Sequence, residues 1–260
     1  LSLSGHDPLL IAPDHKIPNR GETLSPESLP ILEKLDWSHL LDDKTALAGE
    51  DRFSVWGDPA LRRSPSVEPP GHHIDRAALE TEMAYTLSGV EHLFAKATGI
   101  EHRPDGVAIK LDDGQTIEAP ALIDCTGRTA ITSGNRRRTG NLVCAWQVFD
   151  LPGDAETLAA TLIEAVETGW WYASPMPGNR LMAGLFTDSD LLPHDISRDG
   201  AIWAQLLAGT DATHKRLESL GLPGKPIPPP QIAPATTIVS ENLLQARILR
   251  AGDAAAALTA

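Results

Sequence analysis

From Gly106 to Ala119 the chain reads Gly-Val-Ala-Ile-Lys-Leu-Asp-Asp-Gly-Gln-Thr-Ile-Glu-Ala, alternating apolar and polar residues around Asp113-Gly114. Side chains on a strand point to opposite faces with a period of two, and Asp-Gly supplies the backbone freedom that a tight hairpin turn needs. The segment predicts an antiparallel hairpin with one buried face. Ala121-Leu122-Ile123-Asp124-Cys125-Thr126-Gly127-Arg128 follows directly and reads as a buried strand ending in a small-residue turn.

Other segments carry weaker periodicities. Residues 7–12 (Asp-Pro-Leu-Leu-Ile-Ala) read as a short buried strand, followed by a polar loop from Pro13 to Thr23. Ser25-Pro26-Glu27 reads as a helix start, with Ser as N-cap and Pro at the first helical position, and Leu29, Leu32 and Leu35 form its apolar face. Residues 38–71 show no clear period. From Ile74 a helical pattern places Leu79, Met83 and Leu87 on one face. Residues 142–149 predict a strand, 155–167 a helix, and Trp170 to Phe186 an aromatic hairpin turning at Gly178-Asn179. Residues 199–220 predict helix, Pro223 to Pro234 a proline-rich connection with Pro228-Pro229-Pro230 as its stiff part, and Thr236–Val239 a last strand.

Composition narrows the function classes. A formal net charge of −13 argues against nonspecific binding to nucleic acid or to an anionic membrane surface. The one basic cluster, Arg136-Arg137-Arg138, reads as a solvated loop. No apolar run approaches the ~20 residues of a membrane-spanning helix. The start lacks a basic region followed by an apolar one, so a cytoplasmic location is expected. Cys125 and Cys144 are too few for a disulfide framework, and the scattered histidines, His72-His73 included, show no metal-ligand spacing, so no metal is expected.

The chain closes on Ile248-Leu249-Arg250-Ala251-Gly252-Asp253-Ala254-Ala255, an apolar run entering a small-residue turn with one carboxylate. Glycine lets backbone approach a ligand closely, and a helix start offers free N–H groups. Alone, Gly-Asp is an ordinary turn.

Four phrases in one order resemble a known family: Arg20-Gly21-Glu22-Thr23-Leu24-Ser25-Pro26, Asp75-Arg76-Ala77-Ala78-Leu79-Glu80, Ile123-Asp124-Cys125-Thr126-Gly127-Arg128, and Ala251-Gly252-Asp253-Ala254-Ala255. Together they look like the FAD-dependent oxidoreductases of the aromatic-hydroxylase and tryptophan-halogenase superfamily. The block Gly169-Trp170-Trp171-Tyr172-Ala173-Ser174-Pro175-Met176-Pro177, followed by Phe186-Thr187-Asp188, is similar to its monooxygenase-like branch, which includes flavoproteins of tryptophylquinone-cofactor maturation. The order Trp-Trp-Tyr-Ala-Ser-Pro departs from the W-x-W-x-I-P of halogenases, which favours hydroxylation.

The resemblance implies an α/β fold: a Rossmann-like FAD-binding domain, incomplete at both ends, interleaved with a mixed-sheet substrate domain. The expected boundaries are 1–37, 72–140 and 241–260 for the former and 38–71 and 141–240 for the latter. No G-x-G-x-x-G is present, so the family's first βα unit is expected upstream of Leu1 and its glycine-rich continuation beyond Ala260. The implied activity is monooxygenation of an electron-rich aromatic, such as an indole or a peptide tryptophan, through a flavin C4a-hydroperoxide, with FAD as cofactor and NAD(P)H as reductant. A halogenase or reductase of the same fold, or a non-enzymatic remnant without a complete flavin site, are the rivals.

Carried over residue by residue, Arg20, Gly21 and Glu22 match the loop along the flavin, Arg76 the helix residue facing its phosphates, and Thr126 and Gly127 the strand end beside the first Rossmann turn. Gly252 and Asp253 match the turn whose carboxylate takes the ribityl hydroxyls. Trp171 and Pro175 are the substrate-side candidates, and no catalytic residue is assigned. Each has a plainer reading: Glu22 serving the following helix dipole, Arg76 a surface charge, Thr126-Gly127 a tight turn, and the tryptophans core filling.

Overall fold

Nine-residue strands at Leu142–Asp150 and Arg180–Asp188 flank the aromatic sequence of the chain and set its main sheet. The computed structural model describes residues 1–14, 19–49, 51–65, 69–87, 89–152, 160–222 and 227–258. The chain divides into a larger unit, residues 17–87 and 143–234, and a smaller one, residues 1–16, 88–142 and 235–260.

The larger unit is built on a seven-stranded sheet in the order Gln231–Pro234, Leu142–Asp150, Arg180–Asp188, Gly169–Met176, Ala160–Val166, Asp51–Val55, Arg62–Pro65. Its centre is the aromatic hairpin, where Trp170 pairs Phe186, Tyr172 pairs Gly184 and Ser174 pairs Met182. The three-residue turn Pro177 to Asn179 joins the paired Met176 and Arg180, with Gly178 and Asn179 both left-handed (φ 75° and 55°). Strand alternation then sorts the side chains. Trp171, Ala173, Leu185, Ala183 and Leu181 point to one face and pack with Trp203, Leu207 and Leu217 from two helices, Gly200–Ala208 and Ala212–Ser219. Trp170, Tyr172 and Ser174 point to the other face. There a three-stranded sheet, Gly21–Leu24, His72–Asp75 and Ala46–Ala48, meets the aromatic strand. Its own core is Leu40, Ala46, Ile74 and Leu79, the last from the helix Arg76–Thr86.

The smaller unit carries the predicted hairpin, Gly106–Leu111 paired with Thr116–Ala119, extended by Ala97–Arg103. Val107, Ile109, Leu111 and Ile248 form its core. Leu122–Asp124 pairs in parallel with Ile248–Arg250, so two stretches far apart in sequence run side by side and end together.

Several expectations are corrected. Residues 160–166 are a strand, pairing Gly169–Met176 and, in parallel, Asp51–Val55, because Leu162 and Ile163 serve opposite faces of the sheet; Ala155 to Ala159 lie outside the described residues. The described residues of 38–71 include three short strands, of which Asp51–Val55 packs Phe53, partly buried, against the main core. Residues 7–12 form a strand only at Leu9–Ile11, and Leu9 and Leu10 remain 38% and 39% exposed because the pairing is with one short strand. Gly21–Leu24 is a strand, although the loop was expected to run through Thr23. Ser25 makes no side-chain cap, and its segment opens with a 3-10 turn. Ile74 belongs to a strand, and the helix begins at Arg76 because Asp75 caps it through Ala78 N. The span 199–220 breaks into two helices around Gly209. Gln231–Pro234 closes the edge of the main sheet, and Pro223 to Pro226 lie outside the described residues. Arg136–Thr139 is a strand against Thr237–Ser240, with Arg137 and Arg138 exposed.

The two units also cut the chain differently from the expected domains. Residues 17–37 and 72–87 fall in the larger unit, because Gly21–Leu24 pairs with His72–Asp75. Among the described residues, no helix is long and apolar enough to cross a membrane.

Candidate functional site

In the larger unit, strand pairing of Gly21 with Asp75 brings the first two family phrases together. Glu22 Oε1 accepts from Arg76 Nη1 at 2.7 Å and pairs with Arg20 Nη2 at 2.9 Å. Arg76 Nε also donates to Glu80 one turn on. Half-burial works against the Arg76 charge, but hydrogen bonds and the negative charges of Glu80 and Glu22 outweigh it and raise its pKa. Glu22 therefore acts through direct ion pairs, not chiefly through a helix dipole. All three side chains keep 32–41% of their surface open. Gly21 is buried, and a Cβ there would sit 2.8 Å from Met176 Cγ, so a larger residue must displace the Met176 side chain where the two sheets meet.

Behind this cluster, Asp75 accepts from Ala78 N at 3.1 Å and from Arg180 Nη2 at 2.5 Å, with both side chains largely buried. Arg180 also reaches Asn19 Oδ1 at 3.0 Å. The hairpin is thus tied to the start of the helix that carries Arg76.

A second polar feature crosses the same two sheets. Tyr172 Oη lies 2.8 Å from Thr23 Oγ1, which lies 3.1 Å from His73 Nδ1, and Ser174 Oγ lies 2.9 Å from the same nitrogen. His73 is 2% exposed and Ser174 fully buried, whereas Tyr172 is half-buried. Trp171 is 2% exposed, tilted against Trp203 at 4.8 Å, and fills the core. Its indole has no open surface for a substrate. Pro175 is buried on that same face. The open aromatic surface is the opposite one: Trp170 stacks on Phe186 at 5.1 Å, and Trp56, 57% exposed, lies 6.2 Å from Trp170. A separate groove of about 420 Å³ is lined by Pro26, Leu29, Pro30, Pro69 and neighbours, and contains none of the candidate residues.

In the smaller unit, the parallel pairing of Leu122–Asp124 with Ile248–Arg250 brings the other two phrases together as adjacent 3-10 turns, Gly127–Thr129 and Gly252–Ala254. Gly127 and Gly252 are left-handed (φ 63° and 55°), and a Cβ on either would meet only open space. Their glycine is required by conformation, and the space beside each is free. Asp253 is 56% exposed, with Arg128 Nε 3.9 Å from its carboxylate.

Asp124 fixes the shape of this end. Its oxygens accept from Thr126 N and Oγ1 (2.9 and 2.7 Å) and from Thr132 N and Oγ1 (3.0 and 2.6 Å). Burial raises its pKa, but hydrogen bonds from Thr132 and Thr126 outweigh that and hold it below the ordinary range. Thr126 is thus a tie to Asp124. Beside it, Arg250 is 5% exposed and donates to the Asn242 and Thr132 carbonyls. The sequence does not mark Asp124, Arg250 or His73 as site residues. The signal available is a charge set inside an apolar strand, since such groups are rarely buried unpaired.

Cys125 and Cys144 are both free thiols. Burial pushes Cys144 up to about 12 despite the opposing charge of Arg20. Among the described residues no group of His, Cys, Asp and Glu is arranged to hold a metal ion.

This geometry is the mixed α/β fold of the flavin-dependent halogenases and aromatic hydroxylases. The chain superposes on a peptidyl tryptophan dihydroxylase, QhpG, essential for tryptophylquinone cofactor biogenesis (TM-score 0.77, 19% identity, 99% of this chain and 57% of that one). It superposes likewise on the flavin-dependent brominase Bmp2 (TM-score 0.80, 14% identity, 99% and 68%) and on the flavin-dependent halogenase CmlS (TM-score 0.78, 19% identity, 97% and 49%). In sequence it is 31% identical over 116 residues to 3-amino-4-hydroxybenzoate 2-monooxygenase PtmB3 of Streptomyces platensis, covering 41% of this chain and 29% of that protein. The chain therefore spans less than a third of that curated relative. No family model matches the chain.

Proposed function

We propose that the chain is part of an FAD-dependent oxidoreductase that hydroxylates an electron-rich aromatic ring, an indole or peptide tryptophan being the favoured class. The observation that carries the reading is that the four family phrases meet in two pairs: Glu22 with Arg76, and the Gly127 turn with the Gly252-Asp253 turn. Each pair has the chemistry a dinucleotide flavin asks for. Arg76 and Arg20 are cations suited to phosphate. Glu22 and Asp253 are partly open carboxylates suited to hydroxyls. Gly127 and Gly252 leave free space where a ligand can approach backbone. The residues present thus fit FAD. Thr126 and Gly21 support it indirectly, one by shaping its turn and the other by admitting the sheet crossing. A Rossmann-like FAD-binding domain, completed by sequence outside this chain, belongs to the same proposal.

FAD, when bound, supplies the redox chemistry, taking electrons from NAD(P)H and activating O2. The protein's part is to bind the ring, orient it and exclude water. The open aromatic face of Trp170, Phe186 and Trp56 suits that task better than Trp171 does. Halogenation is the second reading, favoured by the superpositions on Bmp2 and CmlS. The order Trp170-Trp171-Tyr172-Ala173-Ser174-Pro175 speaks against it. Incubating the flavin-loaded full-length protein with NAD(P)H, O2 and indole or a tryptophan peptide, with and without chloride or bromide, separates the two. Oxygenated product independent of halide supports hydroxylation, halogenated product supports the alternative, and protein that binds no flavin contradicts both.

A further inference from the structure

Arg180 opens the second strand of the aromatic hairpin, directly after the turn Pro177 to Asn179, and its guanidinium is a fork with three separate holds. Nε and Nη2 donate to the Pro177 carbonyl at 3.0 and 2.8 Å, which fixes the plane of the group on its own turn. Nη1 donates to Asn19 Oδ1 at 3.0 Å, and Nη2 also donates to Asp75 Oδ2 at 2.5 Å. The Arg180 and Asp75 side chains keep only 18% and 8% of their surface open.

The two outer holds fall at matching places. Asn19 is the residue before Arg20, and Asp75 is the residue before Arg76. Backbone pairing carries the match onward, since Arg76 N donates to the Arg20 carbonyl at 3.1 Å and Gly21 pairs Asp75. Asp75 also accepts from Ala78 N, so Arg180 holds the cap of the helix that begins at Arg76. The ends of Arg20 and Arg76 are held less firmly. Both reach the same oxygen, Glu22 Oε1, and Arg20 Nε is buried with no hydrogen-bond partner among the described residues. Where the two cations stand therefore depends on where their backbones stand, and one planar side chain touches the residue preceding each. A lysine could match the charge of Asp75 but not the fork.

We infer that Arg180 is a positioning residue for the flavin cluster: its guanidinium sets the spacing of Arg20 and Arg76, and so the fit of this cation pair to the flavin's phosphates. The inference deepens the proposed function and rests on it. It also makes the aromatic hairpin, whose strands carry Trp170 and Phe186, the frame on which the cofactor cations are set.

The test is a double-mutant cycle read by titration of the full-length protein with FAD: wild type, Arg180→Lys, Arg76→Ala and the double variant, each with its urea-unfolding midpoint. Arg180→Lys keeps a charge beside Asp75 and is expected to weaken FAD binding about 3- to 10-fold, the order of one lost hydrogen bond. In the Arg76→Ala background the same change should cost less, because one of the two cations it places is gone. The double variant should therefore bind tighter than the product of the single losses predicts. A merely structural role gives losses that multiply, and that result overturns the inference, as does an Arg180→Lys variant that binds FAD like wild type. Should Arg180→Lys not fold, Arg180→Gln with Asp75→Asn removes both charges at once, keeps an accepting oxygen for Ala78 N, and is read against Arg76→Ala in the same cycle. The two readings fail separately. Wild-type protein that binds no FAD, or Arg76→Ala that binds it undiminished, sinks the flavin reading of the cluster. FAD binding that depends on Arg76 and not on Arg180 sinks this inference alone.

Discussion

At the scale of single residues, the most committed group is Asp124, a carboxylate 2% exposed with four donors on its two oxygens. Because its folded pKa is depressed, its contribution to stability is present above the ordinary aspartate pKa and is lost as pH falls through the lower folded value. Thr132→Val removes one of the four donors and leaves the carboxylate buried, at a cost of about 1–3 kcal/mol near neutrality. Urea unfolding should show that loss at neutral pH and a smaller one once Asp124 is protonated. Equal losses at both pH values would contradict the assignment. Gly21 presents the opposite case, where an addition must displace Met176: Gly21→Ala drives a Cβ toward Met176 Cγ at 2.8 Å, and overpacking of this kind costs about 1–3 kcal/mol, measurable in the same unfolding experiment. Cys144, buried and pushed up to about 12, should resist iodoacetamide in folded protein, while exposed Cys125 is the thiol that labels. Mass spectrometry of the labelled peptides decides it.

At the scale of elements, Glu164 shows how a strand positions a helix. Its carboxylate, 4% exposed, accepts from Asp211 N at 2.8 Å, Ala212 N at 3.1 Å and Thr213 N at 2.7 Å, closing the start of Ala212–Ser219. Glu164→Gln replaces one accepting oxygen by an NH2 group facing those donors, and should destabilise by about 1–3 kcal/mol in thermal or urea unfolding. No change would mean that the helix start is held by packing alone. Glu164 also explains where sequence reasoning stops. The Ala-rich spacing of 155–167 imitates a helix, yet Ala160–Val166 is recruited as a strand because it lies between Gly169–Met176 and Asp51–Val55. That second pairing joins residues about a hundred positions apart, and no local period reports it. Asp51–Val55 was illegible for the same reason. By contrast, the hairpins at Asp113-Gly114 and Gly178-Asn179 were legible because their turns and alternation are local. At the site, Glu22 with Arg76 could be named from family phrases, whereas the bond between them required Gly21–Leu24 to be a strand. Trp171 and Trp170 are neighbours in sequence, and only the placement of the helices determines which of them is core.

At the scale of the whole molecule, each unit carries its own cluster of residues whose chemistry suits a flavin nucleotide. Arg20, Glu22 and Arg76 supply charge in the larger unit, and Gly127, Gly252 and Asp253 supply an open turn and a carboxylate in the smaller. Neither cluster is needed for a core: the ion pairs are partly exposed, and such pairs add little stability. Replacement of their charged side chains should therefore leave folding intact and change ligand binding. The most direct measurement is titration of the purified protein with FAD, followed by quenching of flavin fluorescence, for wild type and for Arg76→Ala and Asp253→Ala. Loss of a charge-assisted contact is worth about 1.5–3 kcal/mol, or roughly 10- to 100-fold in affinity. Saturable flavin binding that weakens by that factor in each variant, with unfolding transitions unchanged, is the expected result. Absence of flavin binding by the folded full-length protein, or binding indifferent to both substitutions, would contradict it.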